Sequence, residues 1–280
     1  MKKNQTERLT IQHKESQGVI GIFGQQAQEH DSEVHGNSLI VKKLLEEEFP
    51  MFQFRYRNDL SKKEINLALQ KIDPELGQTL FVESANIKPD GGLIEVKDDN
   101  DNWRVVLVSE AKHQGKDIEN IRAGVLVGKN NNQDLMVAGN AIERSHKNIS
   151  EIANFMLGES YFPYVLFLEG SNFLTHDVVV TRPDGRTVTL NYNNGSLNRL
   201  DRLTAANFGL PINTNLCENK FVSSNNLNIM LQAASIYTQP DGEHWSDMDM
   251  INVMLEVSRT SLKMLGKDLF LQLKDYKKNN

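Results

Sequence analysis

Ile87-Lys88-Pro89-Asp90-Gly91-Gly92-Leu93-Ile94-Glu95-Val96 is followed, after the polar run Asp98-Asp99-Asn100-Asp101-Asn102, by Trp103-Arg104-Val105-Val106-Leu107-Val108-Ser109-Glu110-Ala111-Lys112. Two apolar, β-branched runs on either side of an Asx-rich break read as an antiparallel hairpin. With the turn centred on Asn100, positions equally distant from it face one another, which sets Asp90 opposite Glu110. The two-residue period of a strand then puts Lys112 on the face of Glu110. Neighbouring carboxylates repel unless a cation lies between them, and hard oxygen donors with open positions suit Mg²⁺. Lys112 stands where it can handle a water beside such an ion. The constellation points to metal-assisted hydrolysis of a phosphodiester.

Pro-Asp-Gly is first of all a turn signal, and it begins at three places, Pro89, Pro183 and Pro240. Only the first is followed at hairpin distance by Glu-x-Lys on an apolar strand. Glu95-Val96-Lys97 comes too soon after Asp90, and a helical pattern separates Glu218-Asn219-Lys220 from Asp184. A calcium loop starting at Asp98 would need Gly sixth and Glu twelfth, where Trp103 and Ser109 stand. Residues 98–102 therefore read as a solvated turn.

With 280 residues, 39% of them hydrophobic, the chain can bury a sizeable core as one large α/β domain or a domain with appended arms. No apolar run approaches the roughly 20 residues of a membrane helix, and the Met-Lys-Lys-Asn start lacks a signal-peptide core. A single cysteine, Cys217, excludes an intrachain disulfide and fits a reducing cytoplasm. A net charge of −6 argues against a generic nucleic-acid coat protein, although a cleft can concentrate positive charge on an acidic surface. Lys112, Lys116, Arg122, Lys129, Arg144 and Lys147 only slightly outweigh Asp117, Glu119, Asp134 and Glu143. Charge thus permits DNA binding without demonstrating it.

Residues 1–16 are polar and read as a tail or an arm that orders on a partner. The glycine-spaced run 18–24 does not match G-x-G-x-x-G and follows no strand, so a nucleotide fold is rejected there. Leu39–Glu48 and Lys62–Ile72 read as amphipathic helices, the second with Leu67, Leu69 and Ile72 partly in phase and Pro74 as its stop. From Ala141 onward Ile142, Ile149, Ile152, Ala153 and Met156 fall on one helical face, with Gly158 as a stop. The opening turn of that helix, with Asn140 and Arg144, suits phosphate or base edges; taken without the neighbouring metal site it reads first as an ordinary Asn-capped helix with an exposed Arg. Tyr161–Leu168 is continuously apolar, which predicts a buried strand in a partly parallel sheet. Val178–Thr181 and Thr187–Tyr192 read as a second hairpin with a basic tip, a projecting arm over 176–193. Arg199 and Arg202 share one side of a short helix, Ile229–Thr238 reads as a strand, and Asp249–Leu273 as a closing helix.

Three of these segments together carry a resemblance: Ile87-Lys88-Pro89-Asp90-Gly91-Gly92, Val108-Ser109-Glu110-Ala111-Lys112-His113-Gln114-Gly115-Lys116-Asp117, and Ala138-Gly139-Asn140-Ala141-Ile142-Glu143-Arg144-Ser145-His146-Lys147-Asn148-Ile149. They resemble the EcoRI-type type II restriction endonucleases of the PD-(D/E)xK nuclease superfamily, from near Leu9 to the C-terminal helix. The resemblance implies a single α/β endonuclease domain over 1–280, a mixed five-stranded sheet flanked by helices with DNA-embracing arms, acting as a homodimer on double-stranded DNA. It implies that Asp90, Glu110 and the carbonyl of Ala111 bind Mg²⁺, and that Lys112 orients or deprotonates the attacking water, giving 5′-phosphate and 3′-hydroxyl ends. It places readout in the major groove on Met136, Val137, Ala138, Gly139, Asn140, Ala141, Glu143 and Arg144, supported by Arg199 and Arg202. Lys88, Gln114, Lys116, Lys129, Lys147 and Asn148 join that DNA-binding set. The implied target is the palindrome GAATTC, as for an EcoRI isoschizomer, with a methyltransferase protecting host DNA.

Two departures limit the transfer. Val137 replaces an alanine of the family pattern. In Arg55-Tyr56-Arg57-Asn58-Asp59 the acid is displaced by one residue, so Asp59 receives no role. Two other readings stay open: a DNA-binding protein that does not cleave, and a PD-(D/E)xK nuclease of repair or recombination.

Overall fold

The computed structural model describes residues 25–78, 85–124, 139–192 and 196–269. In chain order the elements are α1 (Gln25–Glu48), β1 (Phe54–Arg57), β2 (Leu60–Ser61), α2 (Lys62–Ile72), β3 (Asn86–Ile87), β4 (Leu93–Lys97), β5 (Trp103–His113), α3 (Asp117–Arg122) and α4 (Gly139–Phe155). They continue with β6 (Tyr164–Glu169), a short 3₁₀ turn (Ser171–Phe173), β7 (Val178–Thr181), β8 (Thr187–Leu190), α5 (Ser196–Ala206), β9 (Lys220–Ser224), β10 (Leu227–Leu231), β11 (Ser235–Thr238) and α6 (Asp247–Met264). The central sheet has five strands in the order β1-β4-β5-β6-β11. The β1–β4 and β4–β5 pairs are antiparallel, and β5–β6 and β6–β11 are parallel. This is the mixed sheet expected from the sequence. Helices α1 and α6 pack on each other and on β5. On the opposite face α4 packs between α2 and α5. A sheet sandwiched by helices buries both its faces.

Local sequence explains the edges of the elements that carry the site. Asp98 Oδ1 accepts the amide hydrogens of Asn100 and Asn102, both at 2.9 Å, and Asp101 takes φ +63°. An Asx side chain that satisfies two turn amides reverses the chain without a glycine. Near this turn Lys97 pairs with Trp103 and Val96 with Arg104, as the Asn100-centred turn demands. Between Ile94 and Glu95 the register then slips: Glu95 faces Val105 and Ile94 faces Leu107, leaving Val106 as the extra residue of a bulge. Asp90 therefore does not sit opposite Glu110 on a strand. It lies in a turn closed by Gly92 N–H donating to Pro89 O at 3.0 Å, which precedes β4.

β6 is buried along its whole length and pairs in parallel on both sides, the signature its unbroken apolar run predicted. Tyr164, Val165, Leu166 and Phe167 are fully buried, each such side chain contributing roughly 1.5–3 kcal/mol of transfer free energy. α2 spans the expected residues behind a capping box in which Ser61 and Glu64 satisfy each other's backbone N–H groups. Its inward phase differs from expectation. Ile65 is the buried residue and Leu69 joins the core, whereas Leu67 and Ile72 are exposed. α4 matches its expected face, with Ile142, Ile152 and Met156 buried and Ile149 and Ala153 packed against the core.

Ile229–Thr238 is not one strand. β10 turns back on β9, while β11 joins the central sheet, and the break falls where Asn207 holds Ala234 by both its N–H and its C=O at 2.8 Å. A side chain that satisfies both backbone groups removes the need for a ladder. The closing helix begins at Asp247, with Ser246 as its cap, and ends at Met264 rather than Leu273; residues 270–280 lie outside the described ones. The β7–β8 hairpin forms as expected. It plants Val180 and Leu190 on Ile118, Ile121 and Leu174 in a small cluster apart from the main core, leaving Pro183–Thr187 exposed. Cys217 is buried beside Ser261 Oγ at 3.2 Å, and burial pushes its thiol up to about 12, so it is inert packing. No helix among the described residues is long and apolar enough to cross a membrane. The tail at 1–16 and the glycine-spaced run at 18–24 lie outside the described residues.

Candidate active site

β5 runs out of the core toward its C-terminal end, so Glu110 is fully buried while Lys112 is only partly covered. Alternation along the strand sends neighbours to opposite faces. Ser109 points to Ser38 on α1, with the two hydroxyl oxygens 2.8 Å apart, and Glu110 points to α4. The Lys112 ammonium lies 2.9 Å from Glu110 Oε1 and is hydrogen-bonded to Asp90 Oδ2. Asp90, Glu110 and Lys112 are thus brought together as the sequence predicted, with a turn rather than a strand presenting Asp90.

The Asp90 turn is held at close quarters. Gly91 N–H donates to Ser109 O at 2.9 Å and Gly92 O accepts from Ser109 N–H at 3.3 Å. A Cβ on Gly91 would lie 2.1 Å from Ser109 Oγ and 2.8 Å from Ser38 Oγ. Gly91→Ala must therefore push the turn, and Asp90 with it, off β5. The expected outcome is a folded protein whose cleavage rate falls roughly 100-fold, the scale of an ångström's misplacement. Equal rates for variant and parent would show that the contact is relieved without moving Asp90.

Glu110 is further gripped by neutral donors from two elements. Tyr164 Oη on β6 donates to Glu110 Oε2, Asn148 Nδ2 on α4 donates to the same oxygen at 3.0 Å, and Ser145 Oγ lies 3.5 Å from Oε1. Burial and the adjoining Glu110 carboxylate raise the Tyr164 phenol well above its ordinary range, so it remains a donor. Burial alone would lower Lys112, but the Glu110 and Asp90 carboxylates outweigh it and raise its pKa, so it is an ammonium throughout the neutral range. Sequence reading missed Tyr164 and Ser145. The available signal was a hydroxyl inside an otherwise apolar strand, since a buried Tyr O–H needs a partner. Tyr164→Phe keeps the ring and removes one hydrogen bond to a charged group, worth about 1.5–3 kcal/mol. The single-turnover cleavage rate is expected to fall roughly 10- to 100-fold, with the melting temperature lowered by several degrees because a buried hydrogen bond is lost; an unchanged rate would remove Tyr164 from the site.

Among the residues named for DNA contact, Lys88, Arg144, Lys147 and Arg202 are exposed and Lys116 is half-buried where α3 begins. Gln114 is buried at the end of β5, its backbone N–H donating to Glu169 O at 2.9 Å. Asn148 faces Glu110 instead of solvent. Gly139, Asn140, Ala141 and Glu143 belong to the first turns of α4 and Arg199 to α5, but the side chains at these positions lie outside the described residues, as do Lys129, Met136, Val137 and Ala138 altogether.

Two acids from separate segments therefore converge on one cation, backed by oriented neutral donors, at the open end of a mixed sheet. A family model described as "Restriction endonuclease EcoRI" matches residues 16–272. The chain belongs to this family. It is 67% identical over 271 residues to the type II restriction enzyme EcoRI of Escherichia coli, covering 97% of this chain and 98% of that one. It is 50% identical over 267 residues to the type II restriction enzyme RsrI of Cereibacter sphaeroides, covering 95% and 96%. The fold is that of a restriction endonuclease, and the chain is a site-specific endonuclease of the EcoRI kind. The donor set fits a divalent ion: hard carboxylate oxygens of Asp90 and Glu110 already bind a cationic group between them, in the form of the Lys112 ammonium.

Proposed function

We propose that this enzyme cuts double-stranded DNA at GAATTC using Mg²⁺ held by Asp90, Glu110 and the carbonyl of Ala111, leaving 5′-phosphate and 3′-hydroxyl ends. The observation that carries the reading is the convergence of Asp90 and Glu110 on one cation in a chain of this family. When bound, the divalent ion supplies charge neutralisation at the scissile phosphate and at the leaving oxygen. Tyr164 and Asn148 hold the Glu110 carboxylate in one orientation and keep its lone pairs satisfied while it is buried. Lys112, held as an ammonium, positions the attacking water by hydrogen bonding and faces the charge that builds on the phosphate.

Arg144 and Lys147 are exposed on the same helix that supplies Asn148 and Ser145 to Glu110. Base recognition from the opening turns of α4, on Met136 to Arg144 with Arg199 and Arg202 in support, would thus be transmitted along one rigid element to the catalytic carboxylate. A palindromic target suits a two-fold homodimer with one site per strand, and a methyltransferase with the same target would protect host DNA. Lys88, Lys116, Lys129 and Lys147 would contact phosphates. The single domain carries two arms, residues 1–16 and the 176–193 hairpin, that reach around the duplex, and the enzyme works in the cytoplasm.

Digesting a plasmid of known sequence with Mg²⁺ and sequencing the ends tests this reading. Discrete fragments ending within GAATTC support it, discrete fragments at another site correct the target, and a smear or no cleavage rejects it.

A further inference from the structure

The turn that presents Asp90 continues into Gly91 and Gly92, which have no side chains to lock it. Beyond their hydrogen bonds to the Ser109 backbone, what holds the turn comes from α1. His35 and Ser38 lie about one helical turn apart and so share a face of that helix. Ser38 reaches β5. Its hydroxyl hydrogen is committed to Val34 O at 2.9 Å, so across the 2.8 Å contact it is Ser109 Oγ that donates to Ser38 Oγ. His35 reaches β1, with Nδ1 2.8 Å from Tyr56 Oη and the two rings edge to face at 81°. The glycines rest on the two hydroxyls anchored in this way. A Cβ on Gly91 would collide with Ser109 Oγ, and one on Gly92, at φ +70°, would lie 2.4 Å from both Tyr56 Oη and Arg57 O. α1 is itself fixed, since Asn37 Nδ2 donates to Asp247 Oδ1 at 2.8 Å and ties it to the start of α6.

We infer that His35 and Ser38 are positioning residues of the cleavage reaction, setting Asp90 through Tyr56 and Ser109, whose hydroxyls act as stops on either side of its turn. The inference rests on the reading of Asp90 as a metal ligand. Glu110 is oriented by Tyr164 on β6 and by Asn148 and Ser145 on α4, which covers one face of the sheet. Asp90 is set from the opposite face, by α1. Each helix layer therefore controls one of the two acids, and an ion shared between them needs both at a fixed separation. A turn that drifts by an ångström loses that separation, and with it both metal affinity and rate. Ser38 and Ser109 are fully buried, so their hydroxyl pair has no water to replace a missing partner.

Full-length Ser38→Ala, Tyr56→Phe, His35→Ala and Asp90→Asn are titrated with Mg²⁺ by calorimetry, and their single-turnover cleavage is followed against Mg²⁺ concentration, beside gel-shift titration without divalent ion. Each of the first three should raise both the Mg²⁺ dissociation constant and the concentration for half-maximal rate roughly 10- to 100-fold, the scale for groups that orient a ligand. Metal-free DNA affinity should stay that of the parent. Adding Ser109→Ala to Ser38→Ala should shift neither quantity further, because the two hydroxyls form one contact. His35 and Tyr56 are half-buried, so their variants carry the test even where the buried serine does not tolerate replacement. An unchanged Mg²⁺ dependence in any of the three that melts as a folded protein, or a loss of metal-free DNA binding alongside the shift, would overturn the inference. Parent-like Mg²⁺ dependence in Asp90→Asn would instead overturn the reading of Asp90 as a ligand.

Discussion

Glu110→Gln is expected to lower cleavage by on the order of 10⁴-fold, comparable to losing a catalytic group that acts as part of a unit, while DNA affinity is kept. The reason lies in what surrounds the carboxylate. Tyr164, Asn148 and Lys112 all present hydrogens to Glu110, so an amide replacing it turns its own N–H₂ toward one of these donors and loses the charge that a divalent ion requires. Glu110 is fully buried and makes no surface of its own for DNA. Removing one negative charge behind a phosphate leaves affinity unchanged or slightly tighter. Gel-shift titration without divalent ion, beside single-turnover cleavage with Mg²⁺, separates the two properties. Retained cleavage would dismiss Glu110 as a metal ligand, and parallel loss of binding would make its role structural.

Lys112→Met carries the second large effect, and it concerns stability as much as rate. The methionine keeps the aliphatic stem packed but removes the cation between Asp90 and Glu110. Breaking a buried ion pair by deleting one partner typically costs about 3–5 kcal/mol, and the lower figure applies because Asp90 and Lys112 are about one-fifth exposed. Metal-free protein should lose about 3 kcal/mol in urea unfolding. Ca²⁺ or Mg²⁺ at about 100 times its dissociation constant should return up to about 2.7 kcal/mol by occupying the vacated position between the acids. Cleavage should fall by roughly 10²- to 10⁴-fold even with metal restored. Because the carboxylates raise the Lys112 pKa in the fold, its stabilisation is fully present at neutral pH. It disappears only as pH climbs through the raised value, above the ordinary lysine value of about 10.4. The stability gap between parent and variant should therefore be flat from neutral to mildly alkaline pH and narrow only beyond it. A variant as stable as the parent, with no response to divalent ion, would show that the two carboxylates do not share a cation.

These predictions rest on residues that could be picked out before any coordinates, and the reasons are local. The Asp98-to-Asn102 turn, the capping box at Ser61 and Glu64, the apolar run of β6 and the apolar face of α4 each follow from interactions within a few residues of chain. So does the sharing of one strand face by Glu110 and Lys112. What stayed hidden needed contact between distant segments. The β1 and β9 strands give little signal because their alternation is short, and the split of 229–238 is made by the Asn207 side chain, far away in sequence. Leu67 and Ile72 looked apolar enough for burial, yet only Ile65 and Leu69 meet the packing surface. The contacts of His35 with Tyr56 and of Ser38 with Ser109 join α1 to two strands that no spacing relates.

From sequence alone came the α/β class, the hairpin and the identity of the acid pair and its lysine, because each is written in residue type and short-range period; the family came from the likeness of three motif segments, 87–92, 108–117 and 138–149. Only the tertiary structure decided that Asp90 comes from a turn shifted by the bulge at Val106, that Tyr164 and Asn148 secure Glu110, and that α1 meets the two strands beside that turn. The physical reason is that a strand's period sets which face a side chain takes, whereas what it meets on that face depends on how layers pack.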